Sequence, residues 1–162
     1  MYCTQYDSPM GKLLLTCTDV GLTGIYMNRE APAYPAEHPV LHQTIQWLDA
    51  YFRSEVPVVD VPLCLEGTAF QKQIWKFLLT IPYGKTRTYG EIAREMAVLS
   101  GKEKMSAQAV GQAVGANHIS ILIPCLRVIG SNGKLTGYAG GSDKKIWLLR
   151  HEGRQIENDI VR

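Results

Sequence analysis

The segment Ser106-Ala107-Gln108-Ala109-Val110-Gly111-Gln112-Ala113-Val114-Gly115 has the composition of a helix with almost no side-chain bulk on its outer face. Ser106 is a favoured N-cap residue, and Val110 and Val114 stand one turn apart, where both can point inward. The remaining positions are mostly alanine and glycine. Such a helix either packs closely on another helix or a sheet, or lies against an external partner such as DNA.

The residues before this helix predict further capped helices. Thr88-Tyr89-Gly90-Glu91 fits a capping box, and Ile92 and Met96 follow at the spacing of an inward-facing stripe. Residues 98–105 form a polar turn with two lysines. Residues 68–82 predict another capped helix, which Pro82 ends. Two helices joined by a turn, the second poor in bulk, indicate a helix-turn-helix.

A cysteine follows in the apolar run Ile119-Ser120-Ile121-Leu122-Ile123-Pro124-Cys125-Leu126-Arg127-Val128-Ile129-Gly130. A cysteine in apolar surroundings is usually an inert core residue, whereas a thiol beside a cation or a base is a nucleophile. The run alone leaves both interpretations of Cys125 open. After it, residues 131–133 predict a turn, residues 135–141 a glycine-rich loop, and Ser142 the cap of a final helix.

The amino-terminal part predicts a small α/β unit. Residues 12–18 and 22–27 are short β-prone runs. A helix is predicted from a stripe that consists of Leu41, Ile45, Leu48 and Phe52. Residues 54–67 contain two prolines and indicate a linker or an extended crossing to a second unit. We therefore expect an α/β domain over 1–60, a second domain over 61–153 and a short tail over 154–162.

The net charge of +2 at pH 7 conceals an uneven distribution along the chain. Residues 1–66 contain three Lys or Arg against eight Asp or Glu, whereas residues 67–153 contain twelve against five. A basic second half indicates an anionic partner, most commonly nucleic acid, although a solvated basic face gives the same composition.

The sequence also indicates where the protein works. No apolar run reaches the roughly 18 residues of a membrane helix, and residues 1–5 lack the features of a signal peptide. The cysteines Cys3, Cys17, Cys64 and Cys125 are then expected to be free thiols in a reducing compartment. We expect a cytoplasmic monomer without membrane contact and without a cofactor. A metal site assembled from the amino-terminal cysteines and histidines is a lesser alternative.

Several ordered motifs together resemble those of the DNA repair alkyltransferases that act on O6-alkylguanine, the methylated-DNA–protein-cysteine methyltransferases. The central motif is Pro124-Cys125-Leu126-Arg127-Val128, with Asn117 before it and residues 136–141 and 151–153 after it. Matching segments are also found at residues 7–13, 81–86, 88–93 and 107–111. The likeness covers nearly all of residues 67–153, and several motifs in order are far more specific than any one of them.

The resemblance implies a two-domain α/β protein. Its small amino-terminal domain would be ribonuclease H-like, and its mainly helical second domain would contain a winged helix-turn-helix. The implied reaction is an irreversible, single-turnover transfer of an alkyl group from guanine O6 in double-stranded DNA to Cys125. The target base must leave the duplex stack, because the O6 alkyl group lies within it.

The resemblance also assigns catalytic roles. Cys125 matches the alkyl acceptor, and Tyr138 the tyrosine that donates to guanine N3. Glu152 matches the far end of a relay that reaches the thiol through a histidine and a water. Asn117 and Arg127 match residues that hold the active-site turn in shape.

Further roles concern the bound nucleotide and the duplex. Tyr89 matches the tyrosine that crowds the target phosphate and helps to rotate the nucleotide outward. Helix 106–115 matches a recognition helix that lies in the minor groove, where small residues allow close approach. Other expected contacts to the substrate or the DNA come from Ala107, Gln108, Ala109, Gly111, Val128, Ala139 and Gly140. The N–H of Ala139 is expected to reach O6, and the carbonyls of Cys125 and Val128 to accept from the exocyclic amine.

Two positions depart from the family pattern. Leu126 occupies the position of the relay histidine, and leucine can neither accept nor pass on a proton. General-base assistance contributes roughly 10²- to 10⁴-fold in rate, so we expect slow transfer. His118 is an alternative candidate for the base that would take the proton of the Cys125 thiol. The alternative function is a protein that flips and marks alkylated guanine without accepting the group.

The second departure is Gln108. The family usually has an arginine here, which fills the gap left by the flipped base. Glutamine is shorter and uncharged, so we expect weaker extrusion of the base and a shallower salt dependence of DNA binding.

Overall fold

The computed structural model describes residues 1–31, 36–138 and 140–162. They divide into two units. The first contains residues 1–66 together with His118–Leu122, and the second contains Gly67–Asn117 and Ile123–Arg162. The expected two-domain class, a small α/β unit and a mainly helical unit, is confirmed.

The first unit is built on an antiparallel sheet of three strands, β1 (Tyr2–Ser8), β2 (Gly11–Cys17) and β3 (Leu22–Met27), in that order. Leu13, Leu15 and Cys17 alternate along β2 and are almost fully buried, because successive side chains of a strand point to opposite faces. Helix α1 (Pro39–Phe52) contacts all three strands.

The helix predicted over residues 41–52 is confirmed, but its buried face differs from the predicted stripe. Leu41 and Leu48 are buried, whereas Ile45 and Phe52 are only half-buried. The core face consists of Val40, Leu41, Thr44, Trp47, Leu48 and Tyr51. The predicted stripe differs because it excluded residues with a polar group. Thr44 can nevertheless be buried, because its hydroxyl donates a hydrogen bond to the Val40 carbonyl at 2.8 Å.

The first unit also takes in residues beyond β3. Leu22 N–H donates to the Pro62 carbonyl at 2.8 Å, and Ile25 N–H donates to the His118 carbonyl at 2.9 Å. Both partner segments run parallel to β3, at Leu63 and Ile119. The first unit therefore extends to Glu66, beyond the expected boundary at residue 60, and includes His118–Leu122, the first part of the apolar run before Cys125.

The second unit begins with three helices: α2 (Ala69–Leu78), α3 (Tyr89–Leu99) and α4 (Ala107–Gly115). The capping boxes predicted at Thr68 and Thr88 are present, and Ser106 accepts from the Ala109 N–H as a cap. The first of these helices ends at Leu78 rather than at Pro82. Helices α3 and α4 contact each other across a turn, as the helix-turn-helix prediction requires.

The remaining elements of the second unit are short apart from one helix. Strand β4 (Arg87–Thr88) pairs in parallel with β5 (Val128–Ile129), so the chain leading into α3 lies beside the chain leaving Cys125. Helix α5 (Ser142–His151) follows, and then the hairpin of β6 (Ile156–Glu157) and β7 (Ile160–Val161). No helix of the described residues is long and apolar enough to cross a bilayer.

The prediction that Ser142 caps the final helix is wrong. Ser142 is the first helical residue, and Gly141 is the cap residue, without a side-chain hydrogen bond. Gly141 has a φ of 99°, which favours glycine, and the chain can therefore turn directly into the helix there.

Candidate active site

A cavity of about 200 Å³ lies beside the Cys125 thiol in the second unit. Its lining comes from α3, α4, the active-site turn and the glycine-rich loop. The lining residues are Tyr89, Gly111, Val114, Gly115, Asn117, Cys125, Gly137 and Tyr138. Five residues singled out from the sequence therefore share one cavity, although they are spread over 50 positions of the chain.

Helix α4 has one packed face and one bare face. Val110, Ala113 and Val114 are buried, and the Trp75 indole N–H donates to the Ala113 carbonyl at 2.8 Å. The opposite face, called the bare face below, consists of Ala107, Gln108, Gly111, Gln112 and Gly115, all exposed or half-buried. Ala109 is half-buried. Close packing thus explains one side of the helix and leaves the other accessible beside the cavity.

Cys125 begins a 3-10 turn that extends to Arg127. Asn117, just after α4, donates from Nδ2 to the Ile123 carbonyl at 3.0 Å, and the Cys125 N–H donates to the same carbonyl at 2.8 Å. Asn117 and Tyr138 also line the cavity beside the thiol, and both act to lower its pKa. The end of α4 and the glycine-rich loop therefore both border the sulfur.

A buried ion pair supports the turn from behind. Arg127 Nε donates to Glu152 Oε1 at 2.8 Å, and Arg127 Nη2 donates to Oε2 at 3.1 Å. Arg127 Nη1 donates to the Ile81 carbonyl at 2.6 Å, and the Gly84 N–H donates to Glu152 Oε1 at 2.9 Å. Both charges are thus paired and hydrogen-bonded, which buried charges require.

The environment of the thiol opposes its ionisation. Burial raises the pKa of Cys125 above its usual value, because the charged thiolate loses hydration. The hydrogen bond from Asn117, the charge of Lys145 and the hydrogen bond from Tyr138 act in the opposite direction without cancelling the rise. In the absence of substrate the thiol is therefore predominantly protonated at neutral pH.

Lys145 is a buried charged residue close to the site that the sequence did not single out. Its side chain is 1% exposed, and Nζ donates to the Val128 carbonyl at 2.6 Å and to the Thr136 hydroxyl at 2.9 Å. A signal was present in the sequence, because Lys145 lies three and four positions before the buried Leu148 and Leu149 and so shares their face of α5. A lysine on an apolar helix face is an unusual residue to bury.

Tyr89 is the first residue of α3 and lines the cavity. Its hydroxyl hydrogen-bonds the Thr136 hydroxyl at 3.0 Å, which links it to Lys145. Gly111 faces the ring, since a Cβ there would lie 3.6 Å from Tyr89 Cδ1. Burial raises the pKa of Tyr89, so the phenol stays protonated.

Residues 1–65 match the family description "6-O-methylguanine DNA methyltransferase, ribonuclease-like domain", and residues 69–154 match "6-O-methylguanine DNA methyltransferase, DNA binding domain". The chain belongs to the 6-O-methylguanine DNA methyltransferase family.

Relatives within this family match almost the whole chain. The methylated-DNA–protein-cysteine methyltransferase of Methanosarcina acetivorans is 44% identical over 94% of this chain and 99% of its own length. That of Mycobacterium leprae is 39% identical over 99% of this chain and 98% of its own length. The crystal structure of Mycobacterium tuberculosis OGT in complex with DNA is similar with a TM-score of 0.79 and 43% identity, covering 94% of this chain and 93% of the other.

The departures from the methyltransferase pattern can now be placed. Leu126 is fully buried within the turn, and Gln108 is exposed on the bare face of α4. His118 belongs to the first unit, where its ring lies 6.1 Å from that of Tyr26. His151 stacks on Trp147, with ring centroids 5.0 Å apart.

Three further residues expected to contact the substrate or the DNA are Val128, Ala139 and Gly140. Val128 already accepts from Lys145, so a guanine amine would share that carbonyl. Gly140 is buried in the same loop as Tyr138. Ala139, expected to donate to O6, lies outside the described residues. Among the described residues, no group of three His, Cys, Asp or Glu side chains is placed to hold a metal ion.

Proposed function

We propose that this protein repairs DNA by direct reversal, moving an alkyl group from guanine O6 to Cys125. The observation that supports the proposal best is the position of the thiol, in a cavity bordered by the bare face of α4 and by Tyr138. That arrangement occurs in a chain of the 6-O-methylguanine DNA methyltransferase family.

In the proposed reaction the Cys125 thiolate attacks the alkyl carbon on O6. An S–C bond forms and the C–O6 bond breaks, and its electron pair stays on the guanine. Tyr138 provides one proton to the guanine at N3 and is reprotonated by solvent, and exchange with solvent moves the guanine proton from N3 to N1. The thiol proton is lost before the attack, so the net products are restored guanine and a thioether. Because the thioether is stable, each molecule reacts once.

The minor groove of the DNA is proposed to lie against the bare face of α4. Glycine and alanine permit close approach of the helix backbone, and the basic surplus of residues 67–153 favours the phosphates. The target nucleotide would rotate into the cavity beside Tyr89, which would crowd its phosphate. Asn117, Arg127 and Glu152 would hold the turn rather than touch the base. We propose that the protein acts as a monomer in the cytoplasm.

A second candidate function is recognition of alkylated guanine without transfer. Two observations favour it: Leu126 offers no proton acceptor, and burial raises the pKa of the Cys125 thiol. A protein that flips the base and stays bound would serve as a marker of the lesion. The two functions differ in whether the DNA is changed.

The test is a single-turnover assay that counts repaired bases. Protein is incubated with an excess of duplex carrying one O6-methylguanine, and the digested DNA is analysed for guanine and O6-methylguanine. The proposal predicts one restored guanine for each protein molecule and none with Cys125→Ser. A stable complex in which the lesion persists would support the marker function instead. Restoration in excess of the protein would contradict a single-use acceptor.

A further inference from the structure

Lys145 places a potential positive charge inside the site, at a point that the proposed mechanism does not use. Its Nζ donates to the carbonyl of Val128, three residues after Cys125, and to the hydroxyl of Thr136, two residues before Tyr138. The ammonium therefore lies between the two segments that carry the acceptor and the proton donor. It is 1% exposed, so water does not screen its charge.

The charge of Lys145 acts on the Cys125 thiol. Each of the two groups shifts the ionisation of the other, since the ammonium lowers the pKa of Cys125 and the thiolate raises that of Lys145. Within the described part of the chain, Cys125 is the one titratable group resolved as acting on Lys145. The nearby acid, Glu152, is paired with Arg127. The phenols of Tyr89 and Tyr138 and the amide of Asn117 also face the thiol and are uncharged at neutral pH.

We propose that Lys145 is the charge partner of the Cys125 thiolate and takes over, in this chain, the task of the histidine relay that Leu126 cannot supply. Lys145 acts on the sulfur by its charge, which makes it a positioning residue rather than a catalytic one. The proposal deepens the function given above, but its test needs no DNA.

The hydrogen bonds of Nζ are compatible with both of its protonation states. A neutral amine has two N–H groups, and the Val128 carbonyl and the Thr136 hydroxyl accept two. The ammonium has one more. Burial lowers the pKa of Lys145 to about 8, so both states are accessible near neutral pH.

Because Cys125 and Lys145 titrate together, the fraction of Cys125 that is thiolate has a characteristic pH dependence. At low pH the pair is a thiol and an ammonium, and loss of the thiol proton to solvent gives a thiolate facing an ammonium. Near pH 8 the pair loses one proton overall, either from sulfur or from nitrogen. The thiol with a neutral amine and the thiolate with an ammonium then carry the same number of protons, so their ratio does not change with pH.

The reactivity of Cys125 towards iodoacetamide measures the thiolate fraction directly. The rate of alkylation is followed on the Cys125 peptide by mass spectrometry. We expect a change of slope in its dependence on pH, called the bend below, and a rise of about tenfold for each pH unit below that point. The rate should level off near pH 8, where the pKa of Lys145 lies, and rise again when the thiol ionises beside a neutral amine. Cys3 and Cys64, which are half-buried, provide internal references in the same digest.

Three variants separate charge from structure. Lys145→Met removes the cation, so the bend should disappear and the rate at pH 7 should fall about tenfold or more, one unit of pKa being tenfold. Lys145→Arg keeps a cation that cannot be deprotonated, so the rate at pH 7 should be retained without the bend. Lys144→Met loses the same charge one residue earlier and should keep the profile of the unaltered protein.

The proposal is overturned if the unaltered protein shows no bend between about pH 7 and 9, one unit either side of the value for Lys145. It is also overturned if folded Lys145→Met retains both the bend and the rate. The first result is read on the unaltered protein and does not depend on how a variant folds. Failure of the proposed function would instead appear as unrepaired O6-methylguanine with the bend intact.

Discussion

Arg127 and Glu152 form a two-point ion pair inside the second unit, with Nε–Oε1 at 2.8 Å and Nη2–Oε2 at 3.1 Å. The Glu152 side chain is fully buried and that of Arg127 is 10% exposed. The resemblance to the alkyltransferases places Glu152 at the end of a proton relay. In this chain both of its carboxylate oxygens accept from Arg127, and Leu126 occupies the position of the relay histidine.

Breaking this pair should destabilise the protein strongly. Arg127→Met leaves the Glu152 carboxylate buried without its partner, which typically costs about 3–5 kcal/mol. Urea unfolding at pH 7 measures the loss.

The double variant Arg127→Met/Glu152→Leu serves as the control. It removes both charges and should recover part of the stability that the single variant loses. If Arg127→Met unfolds at the same urea concentration as the unaltered protein, the ion pair between Arg127 and Glu152 does not stabilise the turn.

Restoring a base should accelerate transfer. Leu126→His supplies the proton acceptor that the position lacks, and we expect the single-turnover rate at pH 7 to rise by about 100-fold, the lower end of the range for general-base catalysis. We expect the lower end because Glu152 is already engaged by Arg127. Quenched-flow measurement on duplex with one O6-methylguanine gives the rate.

Leu126→Gln is the matched control for that experiment. Glutamine is polar and similar in size but cannot accept a proton at neutral pH. An equal gain with Gln would show that polarity, not a base, limits the reaction, and no gain with a folded His variant would mean that Leu126 does not limit the rate.

The side chain at position 108, which is proposed to fill the gap left by the flipped base, should affect the affinity for DNA that contains the lesion. Gln108→Arg adds one cation on the bare face of α4, so the gain in affinity for a lesion duplex should be about three- to fourfold larger at 50 mM than at 200 mM salt. Fluorescence anisotropy at the two salt concentrations measures it.

Gln112→Arg adds the same charge one turn further along the same exposed face. It should match Gln108→Arg on undamaged duplex and fall behind it on lesion duplex, because only residue 108 is proposed to fill the gap in the stack. Equal effects of the two variants on lesion duplex would refute that assignment.

If the bare face of α4 lies against the DNA, added side-chain volume on that face should weaken DNA binding, whereas added positive charge should not. Gly111→Leu should lower DNA affinity about tenfold or more, equivalent to about 1.4 kcal/mol or more, because the side chain would occupy the space between α4 and Tyr89 where the target nucleotide is proposed to enter. Gly111→Ala is the control, since its Cβ would sit at an ordinary 3.6 Å from Tyr89. Full binding by a folded Gly111→Leu variant would place the DNA elsewhere.

Local features of the chain were the most predictable. The capping boxes at Thr68 and Thr88 and the cap at Ser106 depend on residues within one turn, and all three are present. The failures have tertiary causes. The face of α1 was misplaced because a satisfied Thr44 can be buried, and the cap of α5 because Gly141 turns the chain through a positive φ.

The site itself was only partly predictable. Motif order singled out Tyr89, Cys125 and Tyr138, which line one cavity. Lys145 could not be given a role from the sequence, because its neighbours in space, Val128 and Thr136, come from two other segments. Likewise, the partner of Glu152 is decided by side-chain geometry and not by spacing along the chain.

Peptide mass mapping after reaction shows whether Cys125 accepts the alkyl group. The protein is incubated with duplex carrying one O6-methylguanine, digested and compared with a sample incubated with unmodified duplex. We expect the Cys125 peptide to gain the mass of one CH₂ group, while the peptides of Cys3, Cys17 and Cys64 do not change. A lesion duplex that stays bound through long incubation while the Cys125 peptide keeps its mass would contradict this expectation.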